Sequence, residues 1–264
     1  MIPFSDSTTH QQGRPVVNIA LIALNALVFL YSFAIGGFGF LGGGSNTGIV
    51  DFYFSWGFIP LKLSDPEAFR ALGIPFASPV PTLANIFSAM FMHGGLLHIG
   101  SNMVYLWVFG DNVEARMGHA RYLLFYLFVG VIATLSHWFF FQNSHTPLIG
   151  ASGAISGVLG AYLMLFPHNR VKVVIIFFLI TAARLPAMYV LGFYMLLQLF
   201  QLVSSIGVSE HVSVAIWAHI GGFIAGAAIV AIYKLLTKQP IWPSRYNDRP
   251  SSPPTQFWRG RPLD

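Results

Sequence analysis

The feature that most limits what this chain can fold into is a series of long apolar runs without charge. The first, Val16–Ile35, has 20 residues and no charged side chain, and about 20 apolar residues suffice for a helix to cross a bilayer. Only 9% of all residues are charged, whereas about a quarter are charged in an ordinary soluble domain. Because the runs are long and do not alternate with polar residues, they indicate helices rather than barrel strands. The sequence therefore predicts an all-α membrane protein.

Six segments are predicted to span the membrane. They are Val16–Ile35, Leu96–Val113, Tyr122–Phe141, Leu148–Phe166, Pro186–Val203 and Val212–Leu236. A further apolar segment, Val171–Ile180, is too short to cross alone. Arg170, Lys172 and Arg184 lie in it or beside it, so we predict an interfacial hairpin on one side of the membrane. If Val171–Ala183 did cross, the chain would have seven spans.

The segments outside the spans differ in composition. Residues 1–15 form a short polar tail, and residues 36–81 form a long connection rich in Gly, Pro and aromatic side chains. That connection is too apolar for a solvated loop, so we predict a structured insertion that is partly embedded in the membrane. Residues 239–264 are rich in Pro, Arg and Ser, which predicts a disordered tail. A membrane domain over residues 16–238 thus lies between two tails, and we expect no cleavable signal peptide because the first fifteen residues are polar.

The lysines and arginines predict the orientation. With six spans and the N-terminus inside, twelve of the 14 Lys and Arg residues fall on the inner side and only Lys62 and Arg70 on the outer side. The positive-inside rule then predicts that both termini are cytoplasmic and that residues 36–81 lie outside. The net charge of +5 therefore reflects membrane topology, and we expect no nucleic-acid partner. The chain has no cysteine, which excludes disulfides, thiolate metal sites and a Cys nucleophile.

A glycine-rich octapeptide opens the fourth predicted span. Residues 150–157 read Gly-Ala-Ser-Gly-Ala-Ile-Ser-Gly, although each Gly costs about 1 kcal/mol relative to Ala inside a helix. One explanation is close packing against a neighbouring helix, which is common in membrane bundles. The other is access, because Gly150 and Gly153 leave the Ser152 hydroxyl open to a substrate or to another backbone. The octapeptide alone favours neither explanation.

Polar side chains inside spans are costly and are candidates for function. His98 and Asn102 are four residues apart in the second span and share one helical face. Asn102, Ser152 and His219 lie seven, five and seven residues past the outer ends of spans two, four and six, at Gly95, Pro147 and Val212 respectively. At ~1.5 Å rise per residue, all three lie roughly 7–10 Å below the outer ends of their helices. This common depth predicts that they meet in one site.

A serine and a histidine at one depth predict nucleophilic catalysis. In this mechanism His219 accepts the proton of Ser152 and later returns it to the leaving amine. Asp111 and Glu114 fall at the cytoplasmic end of the second span, so no carboxylate within the spans is available as a third member. The residues therefore predict a Ser–His dyad.

A tetrahedral intermediate also needs donors for its oxyanion. Asn102 and His98 are suitable, and the Ser152 backbone N–H near the start of the fourth helix can supply another. A metal site fits less well, because His93 and His98 are five residues apart and do not share a helical face, and no His-Glu-x-x-His occurs. A histidine-lined path for protons or solutes remains an alternative, but it leaves the Gly-Ala-Ser-Gly sequence unexplained.

Over about residues 80–230 the sequence resembles the rhomboid intramembrane serine proteases. The motifs that carry the resemblance are His93-x4-His98-x3-Asn102, Glu114-x-Arg116-x-Gly118, Gly150-x-Ser152-Gly153 and Ala218-His219-x2-Gly222-x3-Gly226. The resemblance implies a six-helix fold with a half-submerged first loop, a nucleophile at Ser152 and a base at His219. It also assigns His98, Asn102 and the Ser152 amide to the oxyanion hole. Supporting positions around the site are expected at His93, Gly150, Gly153, Ser156, Gly222 and Gly226.

The same resemblance implies how the protein would act. No cofactor or metal is expected, the substrates would be transmembrane proteins in the lipid bilayer, and the location would be a bacterial inner membrane. Two departures from some relatives stand out: Ser156 replaces an aromatic residue one turn after the nucleophile, and Ala84-Asn85 replaces a Trp-Arg pair. We expect either a hydrogen bond from Ser156 or a neighbouring aromatic ring to orient His219 instead.

Three functions follow from these observations. The first is a serine protease that cleaves membrane-anchored proteins within or next to the outer part of the bilayer. The second is an inert rhomboid-like protein that binds other membrane proteins or thins the membrane, which predicts loss of Ser152 or His219. The third is a transporter, which predicts charged residues along a buried path, and none lie in the middle of a predicted span. The sequence favours the protease.

Overall fold

The computed structural model describes residues 1–7, 14–74, 78–176, 180–204, 216–243, 257–258 and 261–262. Helices make up most of this part of the chain. In chain order they are α1 (Val16–Leu41), α2 (Thr47–Trp56), α3 (Pro60–Ser64), α4 (Pro66–Ala71), α5 (Thr82–Ala89), α6 (Leu96–Met117), α7 (His119–Phe140), α8 (Ser152–Leu165), α9 (Ala187–Ser204) and α10 (Ile216–Leu236).

Helices occupy all six predicted spans, but their lengths and compositions differ. Among the described residues, α1, α7, α9 and α10 are long and apolar enough to cross a bilayer. Helix α8 is apolar but has only 14 residues. Helix α6 has 22 residues and carries several polar side chains, which lower its hydropathy. Length and composition therefore give four candidate crossings, and the count of six stays a prediction.

Helix α1 runs six residues beyond the predicted end of the first span and bends at Gly37. This residue has φ 67° and ψ −166°, a conformation that side chains other than glycine rarely adopt. Asn18 and Asn25, two polar residues of this helix, are both buried. Asn18 donates to the Leu106 carbonyl at 2.9 Å and accepts from the Tyr122 hydroxyl at 2.8 Å, so it connects α1 to α6 and α7.

The motif at the end of α6 holds the start of α1. The carboxylate of Glu114 is buried and accepts hydrogen bonds from the backbone N–H groups of Val17 and Asn18, at 2.9 and 2.7 Å. These amides lie in the first turn of α1, where no partner exists within the helix. Gly118 follows with φ 82° and allows the sharp turn into α7. The Glu114-to-Gly118 motif therefore has a structural explanation.

The prediction of an all-α protein is wrong in one respect, because the chain also contains strands. They are β1 (Ile2–Asp6), β2 (Arg170–Ile176), β3 (Ile180–Pro186), β4 (Phe257–Trp258) and β5 (Arg261–Pro262). Strands β1, β2 and β3 form an antiparallel sheet in that order. Strands β2 and β3 are the predicted hairpin, which is confirmed, and β-branched residues favour this pairing. Because β3 runs to Pro186, the next helix begins at Ala187 rather than at the proline.

Strand β1 corrects the prediction that residues 1–15 are only a polar tail. It pairs with β2, from Ile2 opposite Val174 to Asp6 opposite Val171. The Asp6 carboxylate accepts a hydrogen bond from the Asn112 side-chain amide at 2.6 Å, and a second from the Tyr162 hydroxyl. The start of the chain is thus attached to α6 and α8.

The connection after α1 is structured, as predicted. Its described part contains α2, α3 and α4, and Ile49, Phe58 and Ile59 are fully buried there. Phe58 exchanges backbone hydrogen bonds with Leu148, at 3.1 and 2.7 Å. This bridge fixes the segment that leads into α8.

The predicted disordered tail, residues 239–264, lies mostly outside the described residues. Within it, β4 and β5 pair in an antiparallel manner. Lys234, in the last turn of α10, donates to the carbonyls of Met164 and Ile241, at 2.5 and 3.1 Å. It thereby connects the end of α10 to the end of α8 and to the first residues of this tail.

Helices α8 and α10 pack with their backbones in direct contact. Helix α8 is central, with ten of its 14 residues buried. A Cβ atom at Gly222 would collide with the carbonyl oxygen of Gly153, and one at Gly226 with that of Gly157. Close packing therefore explains these glycines of the octapeptide and of α10, and it brings the first turn of α10 alongside the first turn of α8.

Candidate active site

Ser152 and His219 meet where α8 and α10 begin. Ser152 is the first residue of α8, and His219 lies in the first turn of α10. The Ser152 Oγ is 2.7 Å from the His219 Nε2, and both residues are half-buried. The close glycine contact between the two helices makes this short distance possible.

The other ring nitrogen of His219 contacts a residue that the sequence analysis missed. His219 Nδ1 lies 3.1 Å from Gln198 Oε1, and Gln198 is buried on α9. An amide oxygen can only accept, so this geometry places a proton on Nδ1 and leaves Nε2 to accept from Ser152. Gln198 is an amide and not the carboxylate that forms the third member of the soluble serine-protease triad. An uncharged polar residue in the middle of a predicted span was the signal that could have revealed Gln198.

Ser156 does not orient His219 through either of its two hydrogen bonds. Its hydroxyl donates to the Ser152 carbonyl at 2.8 Å and lies 2.7 Å from the Tyr194 hydroxyl. Because the Ser156 proton is used on the carbonyl, the Tyr194 hydroxyl is the donor in the second bond. Tyr194, on α9, therefore supplies an aromatic residue next to Ser156, the position where some relatives carry one.

His98 lies beside Ser152 with its Nε2 facing the same space. The Gly94 backbone N–H donates to His98 Nδ1 at 3.3 Å, which leaves the ring proton of neutral His98 on Nε2. A Cβ atom at Gly150 would lie 2.9 Å from His98 Nε2 and 3.5 Å from Ser152 Oγ. Gly150 has φ 128°, a conformation that favours glycine. Its missing side chain leaves open space between a hydrogen-bond donor and the serine hydroxyl.

Asn102 lies one turn further along α6 and is buried. Its amide donates to the His98 carbonyl at 3.0 Å, and an asparagine amide has a second N–H for another acceptor. The Ser152 backbone N–H is in the first turn of α8, where helical amides lack a partner within the helix. Two candidate oxyanion donors, His98 and the Ser152 amide, therefore lie at the start of α8, and Asn102 lies one turn beyond His98 on α6.

His93 is buried directly against His98. Their rings are 5.0 Å apart in an edge-to-face arrangement, and neither ring nitrogen of His93 has a hydrogen-bond partner within the described part of the chain. Among the described residues, no group of three or more His, Cys, Asp or Glu side chains could hold a metal ion. The position of His93 is that of a packing partner for the His98 ring.

A small cavity of about 20 Å³ adjoins Ser152. Most of its lining side chains are small, including Gly130 and Ala133 of α7 and Ala218 of α10, and the larger side chains of Met90, Leu148 and Ile149 complete it. This volume holds about one water molecule. The site therefore combines a hydroxyl, a histidine base, hydrogen-bond donors and a confined space on one side.

Comparisons with known proteins find a matching family model and several relatives. A family model described as the Rhomboid domain matches residues 81–235, a range that contains every residue named in this site. Rhomboid protease GluP of Bacillus subtilis is 29% identical over 63% of this chain and 28% of its own length. RHOMBOID-like protein 1 of Arabidopsis thaliana is 27% identical over 74% of this chain and 46% of its own length.

A third relative is Rhomboid protein 1, mitochondrial, of Saccharomyces cerevisiae, which is 30% identical over 35% of this chain and 28% of its own length. The chain thus spans less than half the length of each of these curated relatives.

Proposed function

The chain belongs to the rhomboid family, and on that premise we propose that it is an intramembrane serine endopeptidase that cleaves transmembrane-anchored proteins. The observation that carries the proposal is the 2.7 Å contact between Ser152 Oγ and His219 Nε2. One relative, GluP, is named a protease, which supports the same activity. Ser152 is the proposed nucleophile and His219 the general base and acid.

The proposed reaction proceeds by acyl transfer. His219 Nε2 removes the hydroxyl proton as Ser152 Oγ attacks the peptide carbonyl carbon, and the imidazolium then protonates the leaving amine. Water, activated by the same histidine, hydrolyses the acyl-enzyme and regenerates Ser152. The intermediate oxyanion lies in the open space beside Gly150, where His98 Nε2–H, the Asn102 amide and the Ser152 N–H donate to it.

We further propose the membrane arrangement in which this chemistry occurs. Six helices cross a bacterial inner membrane, both termini are cytoplasmic, and the site opens toward the outer side beneath the connection at residues 36–81. The relatives come from a bacterium, a plant and a yeast, so the source membrane is part of the proposal. The small cavity beside Ser152 fits a substrate with a small side chain at the cut, such as Ala or Gly.

The test is cleavage of a reporter transmembrane substrate by the purified protein in proteoliposomes. We expect the intact protein to release a product whose new terminus lies near the outer end of the substrate helix. Ser152→Ala and His219→Ala should each abolish cleavage while the protein still folds. Ser204→Ala, at an exposed serine on α9, is the matched control and should cleave normally. Cleavage by Ser152→Ala, or binding without cleavage by the intact protein, would contradict the proposal.

A further inference from the structure

Gln198 is the one buried polar residue that α9 contributes to the described core. The other residues that this helix buries are Ala187, Val190 and Leu191, and most of its remaining side chains are large and apolar. Burying a side-chain amide without a hydrogen bond is costly. A glutamine at this position therefore requires a partner, and the partner is the imidazole of His219 at 3.1 Å.

The contact completes a line of three side chains from three helices. Gln198 Oε1 accepts from His219 Nδ1–H at 3.1 Å, and His219 Nε2 accepts from the Ser152 hydroxyl at 2.7 Å. With the proton held on Nδ1, the lone pair of Nε2 points at the nucleophile. In the opposite tautomer, Nε2 would carry a proton and could not act as a base.

We propose that Gln198 is a positioning residue that fixes the tautomer and orientation of His219, an inference that rests on the proposed protease function. During the reaction His219 becomes an imidazolium, and the hydrogen bond to Gln198 becomes charge-assisted and stronger. Its contribution is therefore larger in the transition state than in the resting protein, which is the condition for raising the rate.

A neutral amide suits this position in a membrane protein. The corresponding group in soluble serine proteases is an aspartate, whose charge stabilises the imidazolium. A charged side chain inside a bilayer is expensive, whereas a glutamine supplies a carbonyl oxygen without a charge. The expected contribution is accordingly that of one hydrogen bond to a charged group, a factor of about 10 to 100 in rate.

A second contact from α9 keeps Gln198 in place. Tyr194 lies one turn before Gln198, and its hydroxyl is 2.7 Å from Ser156 Oγ, which in turn donates to the Ser152 carbonyl. Residues four apart share one face of a helix. Gln198 and Tyr194 therefore lie on one face of α9. Tyr194 attaches this face to α8, and Gln198 contacts His219 from it.

The experiment measures how fast a fluorophosphonate probe labels Ser152, together with kcat and KM for a transmembrane substrate. The small probe needs no docking of a substrate helix, so its rate reports the reactivity of the active site without substrate binding. Gln198→Met, which keeps length but lacks the amide oxygen, should lower the labelling rate and kcat by about 10- to 100-fold with KM unchanged. Gln198→Glu keeps an oxygen at this position and should restore most of the rate. Gln201→Met, at an exposed glutamine of the same helix, should match the intact protein.

A second measurement reads the His219 tautomer in the protein that keeps Gln198, so it does not depend on how the Gln198 variants fold. In ¹⁵N-histidine-labelled protein at neutral pH, the signals that disappear in His219→Ala should show a proton on Nδ1 and none on Nε2. A proton on Nε2 would overturn the inference. Three kinetic results would also overturn it: equal labelling rates for Gln198→Met and the intact protein, a change in KM alone for Gln198→Met, or complete loss of rate in Gln198→Glu. No labelling of Ser152 in the intact protein would instead refute the protease function, while the ¹⁵N spectrum would still report whether Gln198 holds the tautomer.

Discussion

The polar groups around the Ser152 hydroxyl come from four helices and carry no formal negative charge. The Ser152 hydroxyl contacts His219 of α10, and His219 in turn contacts Gln198 of α9. Ser156 donates to the Ser152 carbonyl from within α8, and His98 faces the adjoining space from α6. Each is neutral in the arrangement described. Neutral donors and acceptors avoid the large cost of desolvating an ion, and they gain strength when charge develops on the oxyanion and on the imidazole.

At the residue scale, Asn102→Ala should slow cleavage without abolishing it. His98 and the Ser152 amide would still donate to the oxyanion, so we expect kcat to fall by about tenfold to a thousandfold. His98→Ala should have a similar effect, and the double variant should be non-additive because the two donors act on one atom. Steady-state kinetics in proteoliposomes checks this, with Asn143→Ala, at an exposed asparagine, as the matched control. An unchanged kcat for Asn102→Ala would remove it from the oxyanion hole.

The sequence was enough to predict site residues with distinctive chemistry, such as Ser152 and His219. A serine between glycines and a histidine on a glycine-rich helix indicated a catalytic pair through their common depth. Gln198 and Tyr194 were not found, because α9 has no pattern of small residues and its polar side chains are isolated in an apolar helix. Their roles depend on how α9 packs against α8 and α10, which local sequence does not specify.

At the level of elements, the contact between α8 and α10 sets the distance between the two halves of the site. Glycine allows helices to approach more closely than any other residue. The carbonyl oxygens of Gly153 and Gly157 occupy the space that side chains at Gly222 and Gly226 would fill. His219 is one turn before Gly222, so a shift of α10 away from α8 would move the imidazole away from Ser152.

Gly226→Ala should therefore reduce both stability and cleavage. Its Cβ atom would collide with backbone, which cannot rotate away, and overpacking of this kind costs about 1–3 kcal/mol. Thermal unfolding of the purified protein should show a lower midpoint, and the cleavage rate should fall. Gly192→Ala is the matched control, because a Cβ atom there meets nothing within 4 Å and alanine favours a helix. Equal unfolding midpoints for the two variants would contradict this account of the interface.

The elements that sequence did not predict are those held by distant partners. Ile2–Asp6 is short and lies at the start of a mostly polar tail, and it becomes a strand because β2 supplies its hydrogen bonds across more than 160 residues of chain. The hairpin of β2 and β3 was predictable, since its strands are neighbours and rich in Val and Ile. Hydrophobic periodicity detects local structure but not a pairing between the start of a chain and its middle.

At the scale of the whole molecule, the short, buried helix α8 lies among longer helices. Helix α8 does not need 20 apolar residues of its own, because α6, α7 and α10 surround it and protein rather than lipid covers most of its surface. Helix α6 has enough length to cross, at 22 residues, and its polar side chains Asn102, Asn112 and Glu114 are buried rather than exposed to lipid. Burial inside the protein therefore explains why α6 and α8 lack the composition of an isolated span.

The orientation can be tested because the chain has no cysteine. A single introduced cysteine is then a unique target for a maleimide that cannot cross membranes. Arg70→Cys, at an exposed position of α4, should be labelled in intact cells. Ser7→Cys, exposed after β1, should be labelled only after the membrane is opened. The reverse pattern would place the connection after α1 on the cytoplasmic side and contradict the proposed topology.

The most direct test of the central claim, that His219 makes Ser152 a nucleophile, is to identify the residue that reacts with a fluorophosphonate. After incubation of the protein in proteoliposomes, mass spectrometry of its peptides should find the phosphonyl adduct on Ser152 and on no other serine. His219→Ala should carry almost none, because its serine keeps its proton. An adduct on another residue, or equal labelling of Ser152 with and without His219, would contradict the claim.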